Sequence, residues 1–173
     1  MQQKRQQVVA WPLRIVTLLF ALALSACTIG LVPAYDANLA EGLSGANKQT
    51  LILFAKLDEG ASASEFKNYS GEYAELIGTF SELRYRAAAR PMPPLASRLA
   101  KTKIFESFCN SKDNPAACLN ASPAAIAQIV DTLRTMRASH HAGDLTPIII
   151  GGFAREYESA IKQALTVESA LKR

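Results

Sequence analysis

The sequence has few of the residues from which catalytic and metal sites are built, with two histidines, three cysteines and one tryptophan in 173 residues. His140 and His141 are adjacent, so on a helix their side chains point about 100° apart and cannot share one metal as in the H-E-x-x-H pattern. The chain also lacks the Glu-x-x-His pair of di-iron bundles and a glycine-rich phosphate loop. We therefore expect no catalytic residues, no metal, no cofactor and no enzymatic activity.

A hydrophobic run long enough to cross a membrane is lacking as well. The mostly apolar stretch of residues 15–26 has twelve residues, whereas a membrane-spanning helix needs about 20. A basic start with Lys4, Arg5 and Arg14, a short apolar run and small residues are instead the three parts of a secretory signal. We predict that residues 1–26 are a signal peptide and are removed.

Residues 24–27 (LSAC) end this signal and consist of an aliphatic residue, two small residues and a cysteine. They resemble the lipobox of bacterial lipoprotein precursors. The resemblance implies that the Cys27 thiol receives a diacylglycerol, that cleavage occurs just before it, and that the new amino terminus is acylated. Two or three acyl chains would hold the protein firmly on a bilayer. The alternative is an ordinary signal peptide that is cleaved elsewhere and leaves Cys27 free or paired.

The residue after the cysteine indicates which of the two bacterial membranes carries the protein. In the same family, an aspartate at that position retains the protein at the inner membrane, and here the residue is Thr28. The resemblance therefore implies the periplasmic face of the outer membrane.

The positive charge of the chain belongs largely to the signal. The chain has 19 basic and 15 acidic residues, but its first 26 residues hold three basic ones and no acidic one, which leaves 16 and 15. A nearly neutral domain gives little support to a nucleic-acid partner, which requires a clustered basic face. We predict a lipid anchor and short tether at residues 27–34, followed by one domain at residues 35–173.

Apolar residues in this domain recur every three or four positions, which is the period of a helix. The predicted helices extend from about residue 35 to 57, 62 or 64 to 87, 95 to 108, 122 to 142, and 146 to 171. Ser122-Pro123 and Thr146-Pro147 each read as a cap followed by proline at the first helical position. The pattern predicts an all-α fold, an antiparallel bundle of four longer helices plus one short helix.

Cys109 and Cys118 remain once Cys27 is lipidated, and in an oxidising periplasm they most simply pair with each other. The alternative, a redox-active or metal-binding pair, is disfavoured because eight intervening residues are far from the C-x-x-C spacing. We predict one structural disulfide.

The second predicted helix carries an aromatic row and several charges. Tyr69 and Tyr73 fit the core, although buried tyrosine hydroxyls need partners and could face a ligand. Glu82 and Arg86 stand four residues apart and predict a solvated ion pair. Tyr69, Tyr73, Arg84 and Arg86 form the candidate surface for a ligand or partner.

We interpret His140 and His141 as a polar helix end that suits the helix dipole. Metal binding by these histidines with Asp144 is a weaker alternative, because no third and fourth ligands are evident.

The mature part also loosely resembles the small, largely uncharacterised helical lipoproteins of Gram-negative bacteria, and this resemblance implies no specific function. It rests on Tyr35-Asp36 after the anchor and on Tyr69, Tyr73, Leu83 and Arg86-Ala87.

Two functional hypotheses follow. The first is a non-catalytic accessory lipoprotein that is anchored to the membrane through Cys27 and binds or stabilises an envelope protein complex through a helix face. The alternative is a periplasmic bundle that binds a small molecule or metal between its helices.

Overall fold

A computed structural model of the chain describes residues 30–109 and 118–172. The predicted signal peptide and Cys27 lie outside the described residues. The helices in chain order are α1 (Ala37–Leu57), α2 (Phe66–Ala89), α3 (Pro94–Leu99), α4 (Lys103–Phe108), α5 (Ser122–Ala142) and α6 (Pro147–Leu171). A single 3₁₀ turn, Ala63–Glu65, precedes α2. The predicted all-α class is confirmed.

The four long helices pack as a ring in which each contacts two neighbours. The most extensive contact joins α2 to α5, and α1 lies against α2 and α6. The connection between α1 and α2 meets the connection between α5 and α6, where Ala61 and Leu145 exchange two backbone hydrogen bonds of 3.0 and 2.8 Å. Because both connections lie at one end, successive long helices are antiparallel, as predicted.

The bundle interior is filled by apolar side chains from all four long helices. The larger fully buried ones are Leu39, Leu43, Leu53, Leu57, Tyr73, Phe80, Ile126, Ile129, Leu133, Met136, Leu145 and Tyr157. The aromatic row predicted on the second helix is part of this core, since Tyr73 and Phe80 are fully buried and Phe66 and Tyr69 are partly buried. No buried side-chain nitrogen or oxygen within the described ranges lacks a hydrogen-bond partner.

Of the two Ser/Thr-Pro start signals, Thr146-Pro147 is confirmed in full and Ser122-Pro123 in part. Asp36 caps α1 by accepting the Leu39 N–H at 3.2 Å, and Thr146 caps α6. Leu145 and Ile150 are both buried beside this second cap, as expected for a hydrophobic staple. Ser122 differs, because it lies inside α5 and its hydroxyl binds a distant side chain instead of the backbone.

The predicted short third helix is two helices of six residues each. The chain makes a turn after α3, in which the Thr102 N–H donates to the Leu99 carbonyl, three residues earlier, at 2.9 Å. The Thr102 hydroxyl then accepts the Phe105 N–H and caps α4. Thr102 thus ends one helix and begins the next.

The predicted disulfide is present. Cys109, at the end of α4, is bonded to Cys118, and their Cα atoms are 6.0 Å apart, within the usual range for a disulfide. The bond closes the segment that leads from α4 towards α5. In the described part of the chain, no helix is both long and apolar enough to cross a membrane.

Candidate functional site

The four residues of the predicted candidate surface lie in two separate places. Tyr69 and Tyr73 lie near the start of α2, and Arg84 and Arg86 lie near its end. Tyr73 and Arg84 are separated by eleven residues, or about 16 Å along a helix. The structure therefore joins the tyrosines to one end of the bundle and the arginines to the other.

The arginines contact groups other than those expected. Arg86 Nε donates to Asp36 Oδ2 at 2.7 Å, and Nη2 donates to Oδ1 at 3.2 Å, so the predicted pairing with Glu82 is replaced by a bidentate pair across two helices. This bond lowers the pKa of the Asp36 carboxyl. The Arg84 guanidinium lies 5.0 Å from the centre of the Tyr85 ring. These contacts hold the start of α1 against the end of α2.

The tyrosines surround a histidine that the sequence did not predict to be buried. His140 is fully buried, with Nδ1 3.3 Å from the Tyr73 hydroxyl and Nε2 3.0 Å from the Ser62 carbonyl oxygen. Both histidines lie in the last turn of α5, as interpreted, but the burial of His140 was not expected. Its physical reason is that two other segments supply partners for both ring nitrogens. We call this end of the bundle, defined by Ser62, Phe66, Tyr69, Tyr73 and His140, the histidine end.

The partners of His140 assign one of its protons. A carbonyl oxygen can only accept, so Nε2 carries the hydrogen and donates to Ser62. Nδ1 lies 3.3 Å from the Tyr73 hydroxyl, which can donate to it or accept from it. Burial raises the pKa of Tyr73, which keeps its hydroxyl protonated and able to donate. Both ring nitrogens of His140 are thus held by hydrogen-bond partners inside the bundle.

A groove beside this cluster is open to solvent and basic. It is lined by Phe66, Arg134, Arg137, Ala138 and His141. The Phe66 ring meets the edges of both histidine rings, with centroids 5.7 Å from His140 and 4.8 Å from His141. Two guanidinium groups, an imidazole and an aromatic ring suit an anionic group that has an apolar neighbour.

The opposite end contains a buried ion pair that sequence reasoning missed. Glu168 accepts from Arg90 Nη1 and Nη2, both at 2.9 Å, and from the Ser122 hydroxyl. Asn120 Oδ1 accepts from Arg90 at 3.0 Å, and its amide donates to the Ala87 carbonyl at 2.9 Å. We call the end defined by Arg90, Asn120, Ser122 and Glu168 the arginine end.

This second cluster has a structural role, because its polar side chains are hydrogen-bonded to one another. The side chains of Arg90 and Glu168 are 6% and 1% exposed, and they join α2 to α6. Ser122 and Asn120 bring the start of α5 to the same point. The cluster offers no open coordination position or nucleophile, so the groove at the histidine end is the better candidate site.

Metal binding gains no support from the described geometry. In residues 30–109 and 118–172, no three His, Cys, Asp or Glu side chains converge as metal ligands would. Asp144, the acidic residue considered with the histidines, accepts the Ala63 N–H at 2.7 Å and so joins the two connections. The predicted lipidation residue, Cys27, lies outside the described residues.

Comparisons of the chain with protein-family models, with curated proteins and with solved structures gave no match.

Proposed function

We propose that the protein is an accessory lipoprotein of the bacterial outer membrane, anchored through Cys27 on the periplasmic face, which binds an envelope protein through its helical surface. The observation that carries this proposal is the short distance in the chain between the lipobox and the fold. Pro33 is already buried and Asp36 caps α1, so only residues 28–32 separate the anchor from the domain. Five extended residues span at most about 18 Å.

The geometry of the bundle supports a binding role rather than a reaction. The core is filled, and the buried polar side chains of the described segments are all partnered. The exposed groove presents Arg134 and Arg137 one turn apart on α5, and Arg134 also lies 3.8 Å from the Asp131 carboxylate. We assign this groove to a partner surface that carries carboxylate or phosphate groups.

In-cell cross-linking of the full chain, followed by purification and mass spectrometry, tests this function. A Cys27→Ser variant removes the anchor, and Arg134→Glu with Arg137→Glu reverses the charge of the groove. Arg155→Glu, at an exposed position of α6, is the matched control for charge reversal. We expect one reproducible envelope partner that is lost in the first two variants and kept in the third.

Two results would contradict the proposal. The first is full cellular activity of the unanchored Cys27→Ser protein in the periplasm. The second is equal capture of the partner by the Arg134→Glu/Arg137→Glu variant and by wild type, which would move the binding surface elsewhere.

A second candidate function is the binding of a small anionic ligand in the same groove. It is favoured by the Phe66 ring beside three basic side chains, which matches an anion attached to an apolar or aromatic group. A thermal shift with such a ligand, abolished by Arg134→Glu/Arg137→Glu but not by Arg155→Glu, would support it. Absence of a shift across anionic ligands, together with a captured protein partner, would reject it.

A further inference from the structure

The two short helices expose apolar side chains, since the first turns its leucines outward and the second exposes an isoleucine. Ala96 in α3 and Ala100 just after it are buried, whereas Leu95 and Leu99 are 42% and 37% exposed. In α4, Ile104 is 74% exposed. The outer face of this segment is therefore apolar.

This arrangement is the reverse of the one expected in water, where the larger apolar side chains are buried. Full burial of a leucine side chain contributes about 1.5–3 kcal/mol, more than burial of an alanine methyl group does. A short amphipathic helix in water would normally turn its leucines inward. Leu95 and Leu99 instead stand one turn apart on the outside, where an apolar environment would stabilise them.

The charged residues of the same segment are mostly basic, and Glu106 in α4 is the one acidic residue among residues 94–108. Arg98, Lys101 and Lys103 are all exposed, and residues 94–105 contain no acidic residue. Basic residues beside exposed leucine and isoleucine are typical of segments that lie in the headgroup layer of a phospholipid membrane. There the basic side chains contact the phosphate groups of the lipids.

The position of this segment in the fold agrees with such a surface. It follows α2 directly, at the end of the bundle where Arg86 holds Asp36 at the start of α1. The chain enters the domain at the same end, with Leu31 and Val32 both exposed. Three residues separate Cys27 from Leu31, and the four steps between their Cα atoms span about 14 Å at most.

We propose that the outer face of α3 and α4 rests in the interfacial layer of the membrane that carries the lipid anchor. This inference depends on the proposed function, because lipidated Cys27 brings the arginine end to the bilayer. The contact would fix the orientation of the bundle, with the histidine end about 35 Å further out, the length of a 24-residue helix.

The composition of the chain allows a direct test with single tryptophans. Its one tryptophan, Trp11, lies in the predicted signal, so the processed protein contains none. Leu99→Trp and Ile104→Trp place a probe on the proposed surface. Ile148→Trp is the control, because Ile148 is 84% exposed at the other end of the bundle. Each full chain is expressed, processed and reconstituted in vesicles of phosphatidylethanolamine and phosphatidylglycerol with brominated acyl chains.

We expect blue-shifted emission from Leu99→Trp and Ile104→Trp, with about half of it quenched by the brominated chains at the depth of an interfacial helix. The emission of Ile148→Trp should be neither shifted nor quenched. If all three variants float with the vesicles and none is quenched, the membrane contact is refuted while the anchor stands. Blue-shifted but unquenched emission would show that protein covers the face, which also refutes it.

Failure of the proposed function gives a different result. In that case the wild-type protein does not float with vesicles, or it retains the emission of Trp11 because the signal has not been removed. Either outcome removes the anchor on which the membrane contact depends.

Discussion

At the arginine end of the bundle, Glu168 is almost fully buried in an ion pair with Arg90, and at the histidine end, His140 is equally buried between two neutral groups. Both ends thus close the core with polar side chains that are completely partnered. They differ in charge. Removing one member of the first cluster leaves an uncompensated charge, whereas removing one member of the second leaves neutral dipoles. The comparison indicates that charge, more than burial, determines how sensitive each end is to mutation.

The largest predicted effect comes from breaking the ion pair. Glu168→Ala leaves the buried Arg90 guanidinium without its counter-charge, and we expect a loss of about 3–5 kcal/mol in the free energy of unfolding. Urea denaturation followed by circular dichroism measures it. The double variant Arg90→Met/Glu168→Leu should recover most of the loss, because it removes both charges. Glu158→Ala, which breaks an exposed pair with Lys162, should have far less effect. Equal losses for Glu168→Ala and the double variant would contradict this account.

Mutations at the histidine end should lower the free energy of unfolding by less. His140→Leu leaves the Tyr73 hydroxyl without its partner and the Ser62 carbonyl with only the Glu65 N–H, for which we expect a loss of about 1–3 kcal/mol in the same assay. Addition of Tyr73→Phe should cost less in the His140→Leu background than in wild type, since the hydroxyl is already unpaired. His141→Leu, at the exposed neighbour, is the control. A loss from His140→Leu as large as that from Glu168→Ala would reverse the ranking of the two ends.

Backbone conformation provides a smaller test within the histidine end. Gly60 has φ +101°, and a Cβ built there would lie 3.1 Å from the Leu145 carbonyl oxygen. We expect Gly60→Ala to lower the melting temperature, with a cost of about 1–2 kcal/mol. Gly78 is the matched control because it lies in α2 with open space around its Cα, so Gly78→Ala should stabilise by up to about 1 kcal/mol. The same sign for both variants would be inconsistent with strain at Gly60.

The smallest effect is expected at the exposed pair near the arginine end. The Arg86 guanidinium lowers the pKa of Asp36, so this carboxylate stabilises the fold above its unfolded pKa of about 3.9 and loses that effect as pH falls through the lower folded value. Asp36→Asn keeps a good cap but removes the charge, and should cost less than about 1 kcal/mol at neutral pH. Denaturation at pH 7 and at about pH 3 measures the difference, which should shrink in acid. A difference that grows in acid would contradict the pairing.

The helices were predictable from the sequence because their signals are local. The three- and four-residue period, the cap at Thr146 and the prolines that follow α2 all depend on neighbouring residues. The break at Thr102 was missed because its side chain both ends α3 and begins α4, which periodicity does not detect. The disulfide followed from composition and compartment rather than from local structure.

The buried polar clusters were missed because their partners lie far apart in the chain. Each cluster nevertheless contains a residue that the sequence marks as buried. That residue continues the three- and four-residue spacing of the buried apolar residues on its helix. Glu168 follows Tyr157, Ile161 and Ala164 at intervals of four, three and four residues. His140 similarly follows Ile129, Leu133 and Met136, and Arg90 follows Phe80, Leu83 and Ala87. The period identifies them as buried, but only the packed bundle shows which groups they bind.

The bundle has four long helices, and successive ones are antiparallel. The chain therefore leaves the domain at the same end at which it enters. Helix α6 ends beside Glu168, at the same end where residues 30–36 enter. A reporter protein fused after residue 173 would therefore lie between the bundle and the membrane to which we propose that Cys27 is anchored. The exposed Asp58-Glu59 turn points the other way, which makes it the better place to insert a label for imaging or affinity capture.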